Sequence, residues 1–95
     1  MSPFKTREFK RACEKKGFRV ERSTGHDYLY FYYENKKTQI FTKVSFGSSE
    51  EIGVQLFKYL KKQLRLDDSK QLADFIKCPI EYVDYVEILR QKGII

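Results

Sequence analysis

The sequence predicts an α+β fold in which a three-stranded antiparallel sheet follows one helix and precedes three more, in the order α-β-β-β-α-α-α. Residues 18–44 hold three stretches with strand-like alternation or aromatic enrichment, and short turn signals separate them. Apolar residues recur at helical spacing on both sides of that region. The length of 95 residues and the hydrophobic content of 41% suit a single domain with one core.

The first helix is predicted from an apolar face before the sheet. Phe9, Ala12 and Cys13 recur at i, i+3 and i+4, which places them on one side of a helix. Ser2-Pro3 or Thr6 is expected to cap its start.

The three strands are predicted to form a meander. Phe18–Arg22 alternates apolar and charged residues, Asp27–Glu34 is rich in tyrosine, and Thr38–Val44 is the return strand. Ser23–Gly25 and Asn35–Lys36 are the turns between them. Because the connections are this short, consecutive strands are expected to pair antiparallel.

Three further helices are predicted after the sheet. Ser48 or Ser49 is expected to cap the second helix, with acids in its first turn, and its apolar stripe is Ile52, Leu56, Leu60 and Leu64. A short third helix follows the cap 67–69, ends at Cys78-Pro79 and carries Leu72, Phe75 and Ile76. The last helix runs from about Glu81 to Gly93 and carries Val83, Val86 and Leu89.

Composition excludes several classes of protein. The two cysteines, Cys13 and Cys78, lie far apart with no CxxC or Cys/His spacing, which argues against a zinc finger, a redox motif and a disulfide scaffold. The longest uncharged apolar run is too short for a membrane span, and the N-terminus lacks the apolar region of a secretory signal. We therefore expect a soluble cytoplasmic protein with no bound metal or other cofactor and no membrane contact.

The charge is unevenly distributed along the chain. Residues 1–66 carry 15 Lys+Arg and 7 Asp+Glu, whereas residues 67–95 carry 4 and 6. We expect residues 1–66 to form the main domain and to contact any polyanion, with residues 67–95 as a helical extension packed on it. The alternative is a solvated basic surface that has no partner.

His26 is the only histidine and the main candidate for chemistry. Histidine can act as a general acid or base near neutral pH. Arg22, Lys37 and Lys43 are expected at the same end of the sheet, where they could accompany it. The alternative is a histidine that is only a surface or hydrogen-bonded residue.

Tyrosines form a second candidate site. Strand alternation places Tyr28, Tyr30 and Tyr32 on the face of His26, with Leu29 and Phe31 on the opposite face against the helices. Tyrosines framed by lysines can stack on bases while the cations hold phosphates. The alternative is that the C-terminal helices or a protein partner cover this face.

Three short motifs, in this order and spacing, resemble the opening of HicA-family toxins: Thr6–Phe9, Glu14–Phe18 and Gly25–Tyr28. The family has a helix that ends in a Gly-Phe pair, followed by a histidine segment that enters the second strand. The resemblance covers about residues 5–64.

The resemblance implies a core like that of a double-stranded-RNA-binding domain, with a three-stranded sheet and two helices on one face. It also implies metal-independent mRNA interferase activity and neutralisation by a HicB-type antitoxin protein. His26 matches the catalytic histidine of the family. On this hypothesis Lys43, Lys37 or Arg22 would stabilise negative charge on the phosphate, Tyr28 or a lysine would protonate the leaving oxygen, and Tyr30 would help to bind RNA. The other hypothesis is a non-catalytic RNA- or protein-binding module of the same fold.

Overall fold

The computed structural model describes residues 4–45, 51–77 and 80–95. The elements follow the predicted order: α1 Thr6–Lys15, β1 Phe18–Ser23, β2 His26–Tyr33, β3 Lys36–Ser45, α2 Val54–Gln63, α3 Ser69–Lys77 and α4 Tyr82–Gln91. The prediction of an α+β fold with a three-stranded antiparallel sheet and four helices is confirmed. The expectations for Ser2-Pro3, for the cap at Ser48 or Ser49 and for Cys78-Pro79 fall outside the described residues.

The sheet is a meander with β2 in the centre. β1 pairs antiparallel with β2, and β2 pairs antiparallel with β3. The second hairpin turns at Glu34 and Asn35, one residue earlier than predicted, and their φ values of 52° and 66° are those of a two-residue turn that suits twisted strands. Because this turn sits at the far end of β2 from His26, it places the start of β3 far from that residue.

The side chains of the sheet separate into two faces, as the alternation predicts. Leu29 and Phe31 are fully buried against the helices, with Ile40 and Val44 of β3 beside them. Tyr28, Tyr30, Tyr32 and Phe41 point to the other side. We call these four residues the aromatic face.

The predicted apolar side of α1 is confirmed, because Phe9, Ala12 and Cys13 are buried. The N-cap is Lys5, whose N–H donates to Glu8 Oε1 at 2.8 Å. Thr6, an expected cap, is instead the first helical residue and is buried.

The predicted start of the second helix is wrong. Glu51 forms an isolated bridge with Lys5, and the N–H of Ile52 donates to the carbonyl of Phe4 at 2.7 Å. These backbone bonds hold the segment extended, so α2 begins only at Val54, after Gly53. Phe57, Leu60 and Leu64 form its buried side, while Leu56 is exposed.

The C-terminal helices pack into the same core as the sheet. Leu72, Phe75 and Ile76 of α3 are buried as predicted, and in α4 the buried residues are Tyr85, Val86 and Leu89. Val83, expected in the apolar stripe, is 67% exposed because Tyr85 takes the inward position. The ring of Phe75 lies 6.3 Å from that of Phe18, and the ring of Tyr85 lies 5.8 Å from Phe18 and 5.1 Å from Phe31, measured between centroids. The boundary at residue 66 stays a prediction.

None of the helices in the described part of the chain is both long and apolar enough to cross a membrane.

Candidate functional site

His26 is the first residue of β2, placed there by a tight turn. Gly25, with a φ of +78°, reverses the chain after β1 and brings His26 opposite Ser23. On its other side His26 pairs with Ser45 of β3. Its side chain is half-buried, and within the described residues its imidazole makes no hydrogen bond. No residue in the described part of the chain therefore occupies either ring nitrogen.

His26 lies in an open pocket of about 400 Å³ at the end of the sheet. Residues from five parts of the chain form it: the start of α1, the strands β2 and β3, the bridge segment before α2, and α2 itself. The lining residues are Thr6, His26, Lys43, Val44, Glu51, Leu56 and Tyr59. The pocket thus combines an imidazole, an ammonium, a carboxylate and a phenol.

Lys43 is the predicted cation that the structure brings to His26. It pairs with Tyr28 in the β2–β3 register, and His26 pairs with Ser45 two residues further along β3. His26 and Lys43 are thus diagonal neighbours on one face, about 7–8 Å apart between Cα atoms. The lysine side chain is exposed and lines the same pocket.

Arg22 lies on the other face of the sheet, in an ion pair with Asp27. Its Nε donates to Asp27 Oδ1 at 2.9 Å, and Lys10 of α1 donates to the other carboxylate oxygen. Asp27 is fully buried, and the hydrogen bond from Lys10 does most to lower the pKa of this carboxyl, with Arg22 adding to it against the opposing effect of burial. The structure therefore does not bring Arg22 together with His26.

Lys37 was expected near His26, and that placement is wrong. It pairs with Tyr32, six residues along β2 from His26, which corresponds to roughly 20 Å at 3.3 Å per residue. There its Nζ lies 2.9 Å from Glu21 and 3.8 Å from the centroid of the Tyr30 ring. The hydrogen bond with Glu21 raises the pKa of Lys37.

Three rings of the aromatic face, those of Tyr28, Tyr30 and Phe41, form a continuous patch. Tyr28 and Tyr30 are 6.2 Å apart between ring centroids, and Tyr30 and Phe41 are 5.2 Å apart. At the far end the guanidinium of Arg19 lies over Tyr32 at 4.1 Å. The described part of the helical extension makes its ring contacts on the opposite side of the sheet, and Tyr28 and Tyr30 are half-exposed.

Glu51 and Tyr59 are pocket residues that sequence reasoning missed. Glu51 was assigned to the first turn of a helix, but the bridge to Lys5 places it beside the pocket. Tyr59 is 44% exposed on α2 among several lysines. A large aromatic side chain on the lysine-rich side of a helix was the signal that could have identified it.

The described residues contain no cluster of three or more His, Cys, Asp or Glu side chains that could hold a metal ion. Comparison with known proteins found that no family model, no curated protein and no solved structure matches this chain. Any function must therefore be argued from the site itself.

Proposed function

We propose that this chain is an endoribonuclease similar to the HicA mRNA interferases, with His26 as its catalytic residue and no metal requirement. The observation that carries the proposal is the placement of His26. Its half-buried imidazole, without a hydrogen-bond partner in the described residues, shares an open pocket with the Lys43 ammonium. An accessible base beside a cation is the arrangement that RNA transesterification needs.

His26 acts as the general base in this mechanism. A ring nitrogen takes the proton of a ribose 2′-OH, and the 2′-oxygen attacks the adjacent phosphorus. The bond from phosphorus to the 5′-oxygen of the next nucleotide then breaks, and that oxygen receives a proton. The products are a 2′,3′-cyclic phosphate and a free 5′-OH.

Lys43 supplies positive charge where negative charge develops on the phosphate. Because the lysine lies diagonal to His26 across two strands of a sheet, backbone pairing holds the two residues side by side, and the flexible lysine side chain can bring its ammonium to the phosphate. Tyr28, directly opposite Lys43, offers a hydroxyl for protonation of the leaving oxygen. Glu51 lines the same pocket and supplies a carboxylate that can orient the imidazole.

The same proposal includes the core and the partner that the family implies. Residues 1–66 would form a core like that of a double-stranded-RNA-binding domain, with mRNA as the substrate. A HicB-type antitoxin would neutralise the activity by covering the His26 pocket. The excess of basic residues in this part of the chain supports a polyanionic substrate.

The test compares wild type and His26→Ala at matched expression. Induction of the wild type should arrest cell growth, and the purified protein should cut a labelled mRNA in excess EDTA to leave a cyclic phosphate. His26→Ala should do neither, while its circular dichroism and melting temperature match the wild type. Equal cleavage by both proteins, or cleavage by neither, would reject the proposal.

A second candidate function is RNA binding without cleavage, and the aromatic face favours it. Tyr28, Tyr30 and Phe41 form a half-exposed ring cluster flanked by Lys37 and Lys43, which suits stacking of unpaired bases. In that case the wild type and His26→Ala would bind a labelled RNA equally well, and neither would cut it.

A further inference from the structure

A second groove, of about 350 Å³, adjoins the His26 pocket between β3 and α2. Its lining residues are Gln39, Phe41, Tyr59, Lys62, Gln63 and Arg65. Tyr59 lines both cavities, so the groove and the pocket that holds His26 and Lys43 are neighbours at this residue. An RNA strand that reacts at His26 and continues into the groove would pass Tyr59.

Two aromatic side chains from different elements flank the groove. Phe41 projects from β3 and is 40% exposed, and Tyr59 projects from α2 and is 44% exposed. Aromatic rings on both sides of an open cleft fit a flat ligand such as a nucleic-acid base, which has a π-face that stacks on such a ring.

The positive charge that lines the groove favours an anionic ligand. Lys62 and Arg65 are its two charged residues, and neither forms an ion pair within the described part of the chain. Arg65 has a φ of 65° at the end of α2, a position that usually takes glycine. The positive φ belongs to the C-terminal cap of α2, in which the N–H of Arg65 donates to the Lys62 carbonyl at 3.1 Å and the N–H of Leu66 to the Lys61 carbonyl at 3.0 Å, and the exposed Arg65 side chain lines the groove from there.

Gln63 adds an unsatisfied hydrogen-bonding group. Its Oε1 is buried and has no hydrogen-bond partner in the described residues. The last torsion of a glutamine is broad, so a rotation of the amide can turn this oxygen to the groove. There it can accept from the amino group of a base.

We propose that this groove binds one nucleotide of single-stranded RNA, next to the nucleotide cut at His26. The base lies between Phe41 and Tyr59, and its phosphate contacts Lys62 and Arg65. Insertion between two rings requires an unpaired base, so the substrate is single-stranded rather than duplex. The inference rests on the proposed ribonuclease function and adds the substrate class and the second subsite.

The test measures binding of a fluorescein-labelled single-stranded RNA of about eight nucleotides, in a His26→Ala background that prevents cleavage. Tyr59→Ala should weaken binding about tenfold, in line with one lost stacking contact. Tyr59→Phe, which keeps the ring, should restore it. Lys62→Ala with Arg65→Ala should weaken binding and lower its salt dependence. Lys58→Ala, on α2 but outside the groove, is the matched control and should bind like its parent.

Equal RNA affinity of the Tyr59→Ala and Lys58→Ala proteins would overturn the proposed nucleotide site. So would equal affinity of the parent protein for single-stranded and duplex RNA, or no binding of RNA by the parent. Cleavage assays on proteins that keep His26 distinguish a failure of this inference from a failure of the proposed function. If the wild type cuts RNA and Tyr59→Ala does not change the KM, the nucleotide site in the groove is rejected and the ribonuclease function stands. If Tyr59→Ala loses RNA binding but the wild type does not cut RNA, the ribonuclease function is rejected and the nucleotide site in the groove stands.

Discussion

Lys10 of α1 donates a hydrogen bond to Asp27, the residue that follows His26 in β2. Asp27 is fully buried, and Arg22 of β1 donates to its second oxygen at 2.9 Å. One carboxylate therefore ties a helix and two strands together beside the candidate catalytic histidine. The ionised form is favoured because both partners are cations.

Asp27→Asn is expected to lower the free energy of unfolding by about 3 kcal/mol. Removing one partner of a buried ion pair commonly costs 3–5 kcal/mol, and the value falls at the lower end because Arg22 is largely exposed and can be hydrated. Urea denaturation at pH 7 measures the change. Lys70→Ala, which breaks an exposed pair with Asp74, is the control and should cost under about 0.5 kcal/mol.

The same carboxylate gives a pH dependence with a defined sign. The pKa of Asp27 is lowered in the folded protein, so the unfolded chain binds its proton first as the pH falls. Its stabilising contribution is complete above about pH 4, the ordinary range of aspartate, and is lost as the pH falls through the folded pKa. Asp27→Asn should flatten this part of the stability profile, and a profile identical to that of the wild type would contradict the assignment.

Gly17→Ala is expected to destabilise the protein by at least about 2 kcal/mol. Gly17 has a φ of +96°, and an added Cβ would lie 2.7 Å from Cε1 of Tyr82 and 3.0 Å from Cε1 of Phe31. Backbone strain and overpacking thus act together. Gly25→Ala is the matched control, since its φ is +78° but nothing lies within 4 Å of the added Cβ. It should cost about 1 kcal/mol, and melting curves that rank the two variants the other way would contradict the packing of Tyr82.

Tyr85→Phe is expected to cost about 1–2 kcal/mol, because the Tyr85 hydroxyl donates to the buried Leu64 carbonyl oxygen at 2.8 Å. This bond links α4 to the end of α2. Burial raises the pKa of Tyr85, so its stabilising contribution is present at neutral pH and falls above about pH 10, where the unfolded tyrosine ionises. Denaturation at pH 7 gives the cost. Tyr82→Phe is the control, since it keeps the ring contact with Phe31, and an equal loss in both variants would count against the bond to Leu64.

The features that sequence could predict are those set by local pattern. The face of α1 and the two faces of β2 follow from spacing of 3.6 and of 2, and these predictions are confirmed at Phe9, Leu29 and Phe31. The start of α2 could not be predicted in this way. The backbone of Ile52 pairs with Phe4, a partner that no local pattern reveals.

In the candidate site, too, local pattern predicted some residues correctly and tertiary packing placed the others. His26 was singled out by residue type, and Lys43 reaches it because antiparallel pairing is regular. Lys37 follows the second hairpin turn, so antiparallel pairing puts it at the opposite end of β2 from His26, and the expectation that placed the two together did not apply this geometry. The burial of Asp27 and the entry of Tyr59 into the pocket depend on how helices pack on the sheet, which alternation along one strand does not encode.

The proposed ribonuclease mechanism predicts that Lys43→Ala reduces kcat for RNA cleavage about 100-fold, with a smaller change in KM. The lysine lies diagonal to His26 in the pocket, so its charge acts mainly on the negative charge that develops in the transition state. Single-turnover cleavage of a labelled RNA separates the chemical step from binding.

Lys36→Ala, at the other end of β3 and opposite Tyr33, is the matched control and should leave kcat unchanged. Lys43→Arg should recover part of the rate, because a positive charge is restored with different geometry. An equal fall in kcat for Lys36→Ala and Lys43→Ala would mean that the overall charge of the strand matters and the placement beside His26 does not.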